Sequence, residues 1–501
     1  MGNSVVRNLI GLLILIVLSF TVGIMAADSA KSAAMIIFVI TGIIGLIIMG
    51  KHVWVALFLL PPVCWVLPPV GGVRMDHVLY AMVLCCWLLF RMLGYVKFTW
   101  RKLIGADLFV LAFLILMAVS FYRYPVSLTF LKLVFGYQSE LVGAAPYIAF
   151  IAFFISYICF SCIPFEKKVL LKLLKWHLII LLVCQSISVV IALAWKDAWQ
   201  DEDGVRYPMF TAWGRTIFIA VYCSAPFLKL MASPKAIFLL MLSILASFVS
   251  GSRGHLLGTG IIAFTTIIIK REYYVILIGL VIMGGTLSIL SASNVLSQMP
   301  YTIQRPLSMI PGINVDNNIK RGADSTATWR FEMWKWALDP RTELIKNYMF
   351  GDGFGISSSY LGRSGRAVRR GSLEFGNKRD FALTRNWHSC FIYTLQSLGW
   401  VGVFVSFFCY VYATFMMYKI NTALKETPYF MYSMLYTGYT VYYFSYFFSV
   451  STMQIFFNRH LLMLAYLKVF YHIAVDEGKI IPNRSRAKYK PLLIKQHSVP
   501  A

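Results

Sequence analysis

Long apolar runs recur along almost the whole chain, and each is about as long as a membrane-spanning helix. Crossing ~30 Å of hydrocarbon takes roughly 20 residues of helix. One polar stretch, at about 292–386, interrupts the pattern. The apolar windows lie near 9–27, 33–50, 53–70, 77–96, 106–122, 142–162, 170–195, 212–232, 236–251, 255–269, 273–291, 389–418, 428–450 and 453–473. They predict an all-α fold, a polytopic helical membrane protein with about 12–14 transmembrane helices and one long loop.

Composition supports this class and excludes three others. Of the 501 residues, 59% are hydrophobic and 13% are charged, whereas soluble domains carry about 25% charged residues. So little charge cannot cover a soluble surface without leaving large apolar patches exposed. A cytosolic enzyme, a disordered protein and a secreted disulfide scaffold are therefore excluded. The nine cysteines lie in or beside the apolar runs and lack metal-ligand spacing.

The distribution of charge predicts the orientation and the domain boundaries. The net charge is +25, and many cationic residues lie in the short loops that the positive-inside rule assigns to the cytoplasm. Residues 1–291 are then an N-terminal transmembrane bundle, 292–386 a long periplasmic loop with amphipathic helices, 387–475 the C-terminal spans and 476–501 a basic cytoplasmic tail. Topology accounts for most of the positive charge, so no nucleic-acid partner is expected.

Three polar features far apart in sequence fall at the outer membrane face in this topology. Arg215 lies at the start of the eighth span, Arg253 lies in a Gly-Ser-Arg-Gly turn between two spans, and His388 follows the long loop. A guanidinium group can bind two phosphate oxygens at once, and an imidazole titrates near neutral pH. Plainer interpretations stay open: an interfacial anchor for Arg215, a capped helix hairpin for Arg253 and a structural role for His388.

Patterns in the long loop have competing interpretations. Trp329, Trp334 and Trp336 have helical spacing, which predicts an amphipathic helix that lies on the membrane or closes a cavity. The glycines of 351–355 resemble those of a phosphate loop, but no Lys-Ser/Thr pair follows and no strand precedes, so a turn is favoured. The arginine cluster at 363–370 is a basic lid or a solvated loop, and the solvated loop is favoured.

Five motifs follow one another between about 212 and 402. They are Arg215 opening a span, Ser250-Gly251-Ser252-Arg253-Gly254 in a hairpin, Ser325-x4-Arg330-x3-Trp334, Phe350-Gly351-Asp352-Gly353-Phe354-Gly355, and His388-Ser389-x9-Gly399-x2-Gly402. In this order they resemble the bacterial O-antigen ligase and O-antigen polymerase family of membrane glycosyltransferases. The motif that starts at His388 is the most specific of the set.

The resemblance implies a donor glycan on undecaprenyl diphosphate, transferred to an acceptor sugar hydroxyl at the periplasmic face of the bacterial inner membrane. Because the donor is already activated, neither a cofactor nor a metal is expected. The reaction needs a base for the hydroxyl and cations for the leaving diphosphate. The residues implied are His388 as the catalytic base, Arg215 and Arg253 for the diphosphate, and Arg330, Arg385 and Ser389 in support.

The acceptor stays open. A polymerase would extend a second lipid-linked repeat unit, whereas an O-antigen ligase would use a sugar of the lipid A-core. We favour the polymerase, because extra spans and a long basic loop suit a second polyanionic chain. A lipid-linked glycan flippase is a further alternative, although it would place ionisable residues at mid-membrane depth. Membrane lipid is an expected partner, and other polysaccharide-assembly membrane proteins are candidates.

Overall fold

The structure is almost entirely helical in the residues it describes. It is a computed structural model, and it describes residues 40, 42–62, 75–97, 99–126, 141–142, 145–194, 200–201, 204–205, 208–250, 253–292, 295–308, 310, 313, 315–357, 387, 389–448 and 456–480. Within these residues, the β-structure consists of two antiparallel pairs of two-residue strands: β1 (Leu141–Val142) with β4 (Ile356–Ser357), and β2 (Gln200–Asp201) with β3 (Gly204–Val205).

The helices that precede the long loop follow the apolar windows closely. After a 3-10 turn at Gly50–Val55 they are α1 (Ala56–Leu59), α2 (Met75–Met92), α3 (Ile104–Arg123), α4 (Ala145–Cys162), α5 (Lys167–Ala194), α6 (Pro208–Tyr222), α7 (Phe227–Met231), α8 (Pro234–Val249), α9 (Arg253–Lys270) and α10 (Tyr274–Ala292).

The long loop contributes short helices and one long amphipathic helix before the last spans. These are a 3-10 turn at Val295–Gln298, α11 (Tyr301–Leu307), α12 (Asn317–Leu338) and a second 3-10 turn at Pro340–Thr342. The last three helices are α13 (Cys390–Leu424), α14 (Phe430–Phe448) and α15 (Phe456–Asp476).

Length and composition confirm a helical membrane protein. In the described part of the chain, three helices are long and apolar enough to cross a membrane: Ile104–Arg123, Val169–Ala194 and Cys390–Leu424. Five shorter apolar helices accompany them: Val78–Met92, Pro146–Cys162, Pro234–Val249, Leu256–Lys270 and Tyr274–Thr286. The total of about 12–14 spans stays a prediction, since window 9–27 lies outside the described residues.

The predicted window 212–232 differs from the structure in two ways. Its helix, α6, begins earlier, at Pro208, because proline is well suited to the first position of a helix. The helix ends at Tyr222 and a separate short helix, α7, follows Pro226, which cannot donate a backbone hydrogen bond. Arg215 therefore lies about two turns inside its helix rather than at its start.

One end of the bundle is held by cations that bind helix carboxyl ends. Lys425 Nζ donates to the Lys270 carbonyl across 2.8 Å, and Lys270 Nζ donates to the Tyr222 carbonyl across 2.7 Å. Arg101 Nη1 donates to the Ile163 carbonyl across 2.6 Å. We call this the basic end. Lysine and arginine satisfy the last carbonyl groups of a helix, which have no partner within the helix.

Aromatic rings gather at the opposite end, which we call the loop end. The ring of Phe354, from the long loop, lies 5.2 Å from Tyr147 and 5.9 Å from Tyr393. Tyr147 in turn lies 5.3 Å from Phe121. The end of α3 and the starts of α4 and α13 therefore meet beneath residues 351–355.

Candidate functional site

Helix α13 is broken at Gly399, where the backbone has φ 68 and ψ −169. A segment of the long loop, 348–353, fills the break. Four backbone hydrogen bonds join the two segments: Asp352 N to Gln396 O at 2.6 Å, Gly353 N to Ser397 O at 3.0 Å, Trp400 N to Tyr348 O at 2.7 Å, and Val401 N to Met349 O at 3.2 Å. We call residues 348–353 and 396–401 the junction. It satisfies backbone groups that the break would leave without partners.

Glycine is required on both sides of the junction. Gly351 and Gly353 have φ of 72 and 71, and a Cβ atom on Gly351 would overlap the backbone of Leu398. A Cβ atom on Gly399 would likewise overlap the Met349 carbonyl. The glycines of 351–355 thus serve a backbone-to-backbone contact.

Asp352 stabilises the turn that leads into the junction. Its two carboxylate oxygens accept hydrogen bonds from the backbone N–H groups of Lys346 and Asn347, at 2.9 and 3.0 Å. Burial and the nearby charges of Asp339 and Asp352 raise the pKa of Tyr348 above its usual value. The junction is therefore fixed by local hydrogen bonds as well as by its partner helix.

Trp387, which precedes His388, is anchored at two points. Its indole Nε1 donates to Gln396 Oε1 across 2.8 Å, and its carbonyl accepts a hydrogen bond of 3.1 Å from Trp334 Nε1. The side chain is fully buried, with 0% exposure. The amphipathic helix α12 and the first part of α13 thus hold the same residue.

Ser389, on the other side of His388, caps helix α13. Its hydroxyl oxygen accepts a hydrogen bond of 3.3 Å from Ile392 N, which satisfies one of the free N–H groups at the helix start. His388 and Arg385 themselves lie outside the described residues. The structure therefore fixes the backbone on both sides of position 388, while the catalytic role of His388 and the supporting role of Arg385 stay predictions.

Arg330 lies on the same face of α12 as the Trp334 side chain. The two residues are four apart in one helix, which places their side chains one above the other. Trp334 contacts the carbonyl of Trp387, and Arg330 is half-buried. The predicted supporting cation therefore projects from the helix face that holds the residue next to position 388. Trp329, Trp334 and Trp336 all pack against the main core.

Arg215 is a buried cation, and one of its side-chain nitrogen atoms has no hydrogen-bond partner within the described residues. It is 7% exposed, its Nε donates to the Thr211 carbonyl at 3.2 Å, and its Cζ lies 3.8 Å from the centre of the Tyr442 ring. Its Nη1 is buried and has no hydrogen-bond partner within the described residues. An anion that reached this guanidinium would satisfy it.

Close helix packing sets the depth of Arg215. Gly214 allows α6 to approach α8, since a Cβ atom there would lie 2.6 Å from the Ser243 carbonyl oxygen. A Cβ atom on Gly438 of α14 would lie 2.8 Å from Ile219 and 3.3 Å from Ile262. Helices α6, α9 and α14 thus meet at the level of Gly438, as is usual where small residues let membrane helices approach.

The depths of Arg215 and Arg253 in the bundle can be compared by their distances from the level of Gly438. Arg253 is the first residue of α9, and its side chain lies outside what the structure describes. Both helices run from the loop end towards the basic end. At a rise of about 1.5 Å per residue along the helix axis, Arg215 lies about 6 Å from Ile219 and Arg253 about 13.5 Å from Ile262. Both arginines lie towards the loop end. The two backbones are thus within about 8 Å in depth, and the meeting of their side chains stays a prediction.

A cavity of about 150 Å³ lies within the bundle, and none of the predicted site residues is among those that line it. Asp76, in the first turn of α2, lines it and is 7% exposed. His177 also lines it; the ring contacts the Phe58 carbonyl through Nδ1 and the Tyr436 hydroxyl, at 3.4 Å, through Nε2. These two contacts join α5, which carries His177, to α1 and α14.

Sequence reasoning missed two residues at the loop end. Trp387 received no role, although an aromatic residue directly before His388 was a usable signal. Arg123, the last residue of α3, lies just after the predicted window 106–122 and received no role, and its guanidinium lies 5.6 Å from the ring of Phe350 in the junction. A cation that ends an apolar run at the same membrane face as the site was the available signal.

Comparison with known proteins finds one matching family model. A family model described as O-antigen ligase matches residues 238–407, from within α8 to within α13. The matched region contains the turn with Arg253, helix α12, the junction and residues 387–389. It begins after Arg215, which therefore lies outside the match. No curated protein matches the chain.

Proposed function

We propose, from the match of residues 238–407 to the family model described as O-antigen ligase, that this protein transfers a glycan from undecaprenyl diphosphate to a sugar hydroxyl at the periplasmic face of the inner membrane. The loop end is the periplasmic end in this proposal. We assign the acceptor as a second lipid-linked repeat unit, which makes the protein a polysaccharide polymerase.

One displacement step accounts for the reaction. The acceptor hydroxyl oxygen forms a bond to the anomeric carbon of the donor sugar while the bond from that carbon to the diphosphate oxygen breaks. His388 takes the hydroxyl proton as general base. Arg215 and Arg253 stabilise the negative charge that develops on the leaving undecaprenyl diphosphate. The anomeric configuration inverts, since retention through a double displacement would require an enzyme nucleophile such as a carboxylate.

The observation that carries the proposal is the anchoring of the chain around position 388 within the matched family region. Trp387 is held by Trp334 and Gln396, and Ser389 starts α13. A general base needs this kind of fixed backbone to stay within hydrogen-bond reach of a hydroxyl. Arg215 adds a buried donor that has no partner within the described residues, which suits an anionic ligand.

One observation favours the transport alternative. Asp76 and His177 line the cavity of about 150 Å³ within the bundle, and ionisable residues inside a bundle are typical of translocation pathways. A flippase would still move its glycan between leaflets when His388 is changed, whereas a transferase would lose its product. The two functions therefore give opposite results with the same variant.

Transfer by the purified protein tests the proposal. Undecaprenyl-diphosphate-linked repeat units serve as donor, with either a second repeat unit or lipid A-core as acceptor and a chelator present. We expect polymer from the repeat-unit acceptor, and His388→Ala and Arg253→Gln to abolish it. His52→Ala, which changes an exposed histidine, is the matched control. Product from lipid A-core alone would make the protein a ligase, and unchanged synthesis by both variants would refute the catalytic assignment.

A further inference from the structure

Arg123, at the loop end, is a second arginine with a buried side-chain nitrogen atom that has no hydrogen-bond partner within the described residues. Its Cζ lies 5.3 Å from the centre of the Tyr124 ring and 5.6 Å from that of Phe350. The residue is half-buried, but its Nη1 is buried and has no hydrogen-bond partner in the part of the chain that the structure describes. No acidic side chain of that part forms an ion pair with it.

The cost of this arrangement points to a ligand. A buried donor without a partner destabilises a protein, and a charged donor does so more strongly than a neutral one. The aromatic rings of Tyr124 and Phe350 hold the guanidinium plane but offer no acceptor oxygen. Two oxygens of a phosphate group match the fork of a guanidinium and would satisfy the free N–H groups.

Arg123 and Arg215 lie on helices that pack against different neighbours. Helix α3, which carries Arg123, packs against α13 and α15, whereas α6, which carries Arg215, packs against α5, α8, α9 and α14. The two arginines are therefore carried by helices that share none of these packing partners.

Contacts also connect Arg123 to the start of α13. A Cβ atom on Gly353 would lie 2.6 Å from the Cβ of Tyr124, the neighbour of Arg123. Phe354, the next residue, lies 5.9 Å from the ring of Tyr393, which follows position 388 by five residues. Arg123 is thus on the periphery of the same site and not on a remote surface.

We propose that Arg123 binds a second phosphate-bearing group, the diphosphate of the acceptor repeat unit, while Arg215 binds that of the donor. The inference rests on the proposed function and assigns one diphosphate to each of the two arginines. A polymerase needs two such sites because both of its substrates carry undecaprenyl diphosphate.

Binding stoichiometry tests the second site without any turnover. The probe is radiolabelled undecaprenyl diphosphate without sugar, titrated onto the full-length protein in dodecyl maltoside. We expect two equivalents on the wild type and one each on Arg123→Gln and Arg215→Gln. Arg91→Gln, which changes an exposed arginine bonded to the Val96 carbonyl, should keep two. One equivalent on the wild type, or two on Arg123→Gln, would overturn the inference.

A competitor separates the two sources of phosphate. An excess of phosphatidylglycerol should leave both equivalents of undecaprenyl diphosphate bound to the wild type. Loss of one equivalent from the wild type, with none lost from Arg123→Gln, would show that Arg123 binds a phospholipid head group and would overturn its assignment to the acceptor.

Kinetics then connect the site to the acceptor. With saturating donor, Arg123→Gln should raise the acceptor KM about tenfold or more, as expected for the loss of a charged hydrogen bond. The donor KM should stay unchanged, and Arg123→Lys should restore part of the loss. An equal effect on both KM values would reject the acceptor role. If the wild type makes no product while the two-site stoichiometry holds, the transfer reaction fails and the second anion site stands.

Discussion

The indole N–H of Trp387 donates a hydrogen bond of 2.8 Å to the side-chain oxygen of Gln396, nine residues further along the chain. The same Gln396 uses its Nε2 to donate to the Leu344 carbonyl at 3.3 Å. One glutamine therefore joins the residue before His388 to the loop segment that leads into the junction. This connection makes the backbone just before position 388 depend on a side chain outside the proposed reacting groups.

Replacing Trp387 by Phe should lower kcat and leave KM nearly unchanged. A smaller aromatic ring remains, but the hydrogen bond to Gln396 is lost, and a buried hydrogen bond contributes about 1 kcal/mol, or roughly a factor of five to ten. Initial rates over a range of donor concentrations measure the two parameters. Trp336→Phe, on the same helix as Trp334 but without a hydrogen bond to Trp387 in the described structure, is the control.

A combined variant sharpens this prediction. If Trp387 and Gln396 act through one hydrogen bond, Gln396→Leu should show a similar loss, and the double variant should lose little more than either single change. Fully additive losses would mean that Trp387 acts by some other route.

Replacing Gly399 by Ala should destabilise the whole protein. The φ of 68 and ψ of −169 lie in a region that only glycine adopts readily, and an added Cβ atom would overlap the Met349 carbonyl. Backbone strain and overpacking of this kind each cost about 1–3 kcal/mol. We expect a clear drop in the thermal unfolding midpoint in detergent. Gly279→Ala, in α10 with nothing within 4 Å of the added atom, should leave it unchanged, and equal behaviour of the two variants would contradict the role of the junction.

The spans were predictable because each apolar run ends in polar residues. The windows 236–251 and 255–269 differ from α8 (Pro234–Val249) and α9 (Arg253–Lys270) by only a few residues. The break between α6 and α7 was not predicted, since the apolar run continues through it and only Pro226 marks the change.

The candidate site was predictable in its parts and not in its assembly. The glycines at 351 and 399 stand out in the sequence, and a turn at 351–355 follows from residue type. Their contact depends on backbone hydrogen bonds between segments more than forty residues apart, which no local pattern encodes. Arg123 was overlooked for the same reason, because its neighbour Phe350 comes from that distant segment.

Replacing Arg215 by Gln should reduce kcat/KM by about 100-fold, since loss of charged hydrogen bonds to a diphosphate costs about 3 kcal/mol. Arg215→Lys keeps the charge but loses the two-pronged geometry, so an intermediate loss is expected. Folding stability should not fall, because the buried guanidinium has a donor without a partner in the described residues. Transfer rates and unfolding midpoints are measured together, with exposed Arg321→Gln as the control. Equal losses of activity and stability would indicate a structural arginine.

Replacing Glu272 by Gln should destabilise the basic end in a pH-dependent manner. Burial alone would raise the pKa of Glu272, but hydrogen bonds from Phe227 N and the Tyr222 hydroxyl, together with Lys270, lower it below its usual 4.5. A lowered carboxyl pKa contributes stability that is complete above the ordinary pKa and is lost as the pH falls through the lower, folded-state value. We therefore expect Glu272→Gln to lose about 1–2 kcal/mol at pH 7, and the difference from wild type to shrink steadily below pH 4.5. Unfolding midpoints between pH 7 and pH 3 measure this, with exposed Glu426→Gln as the control. A gap that stays constant over that range would show that the Glu272 charge does not stabilise the fold.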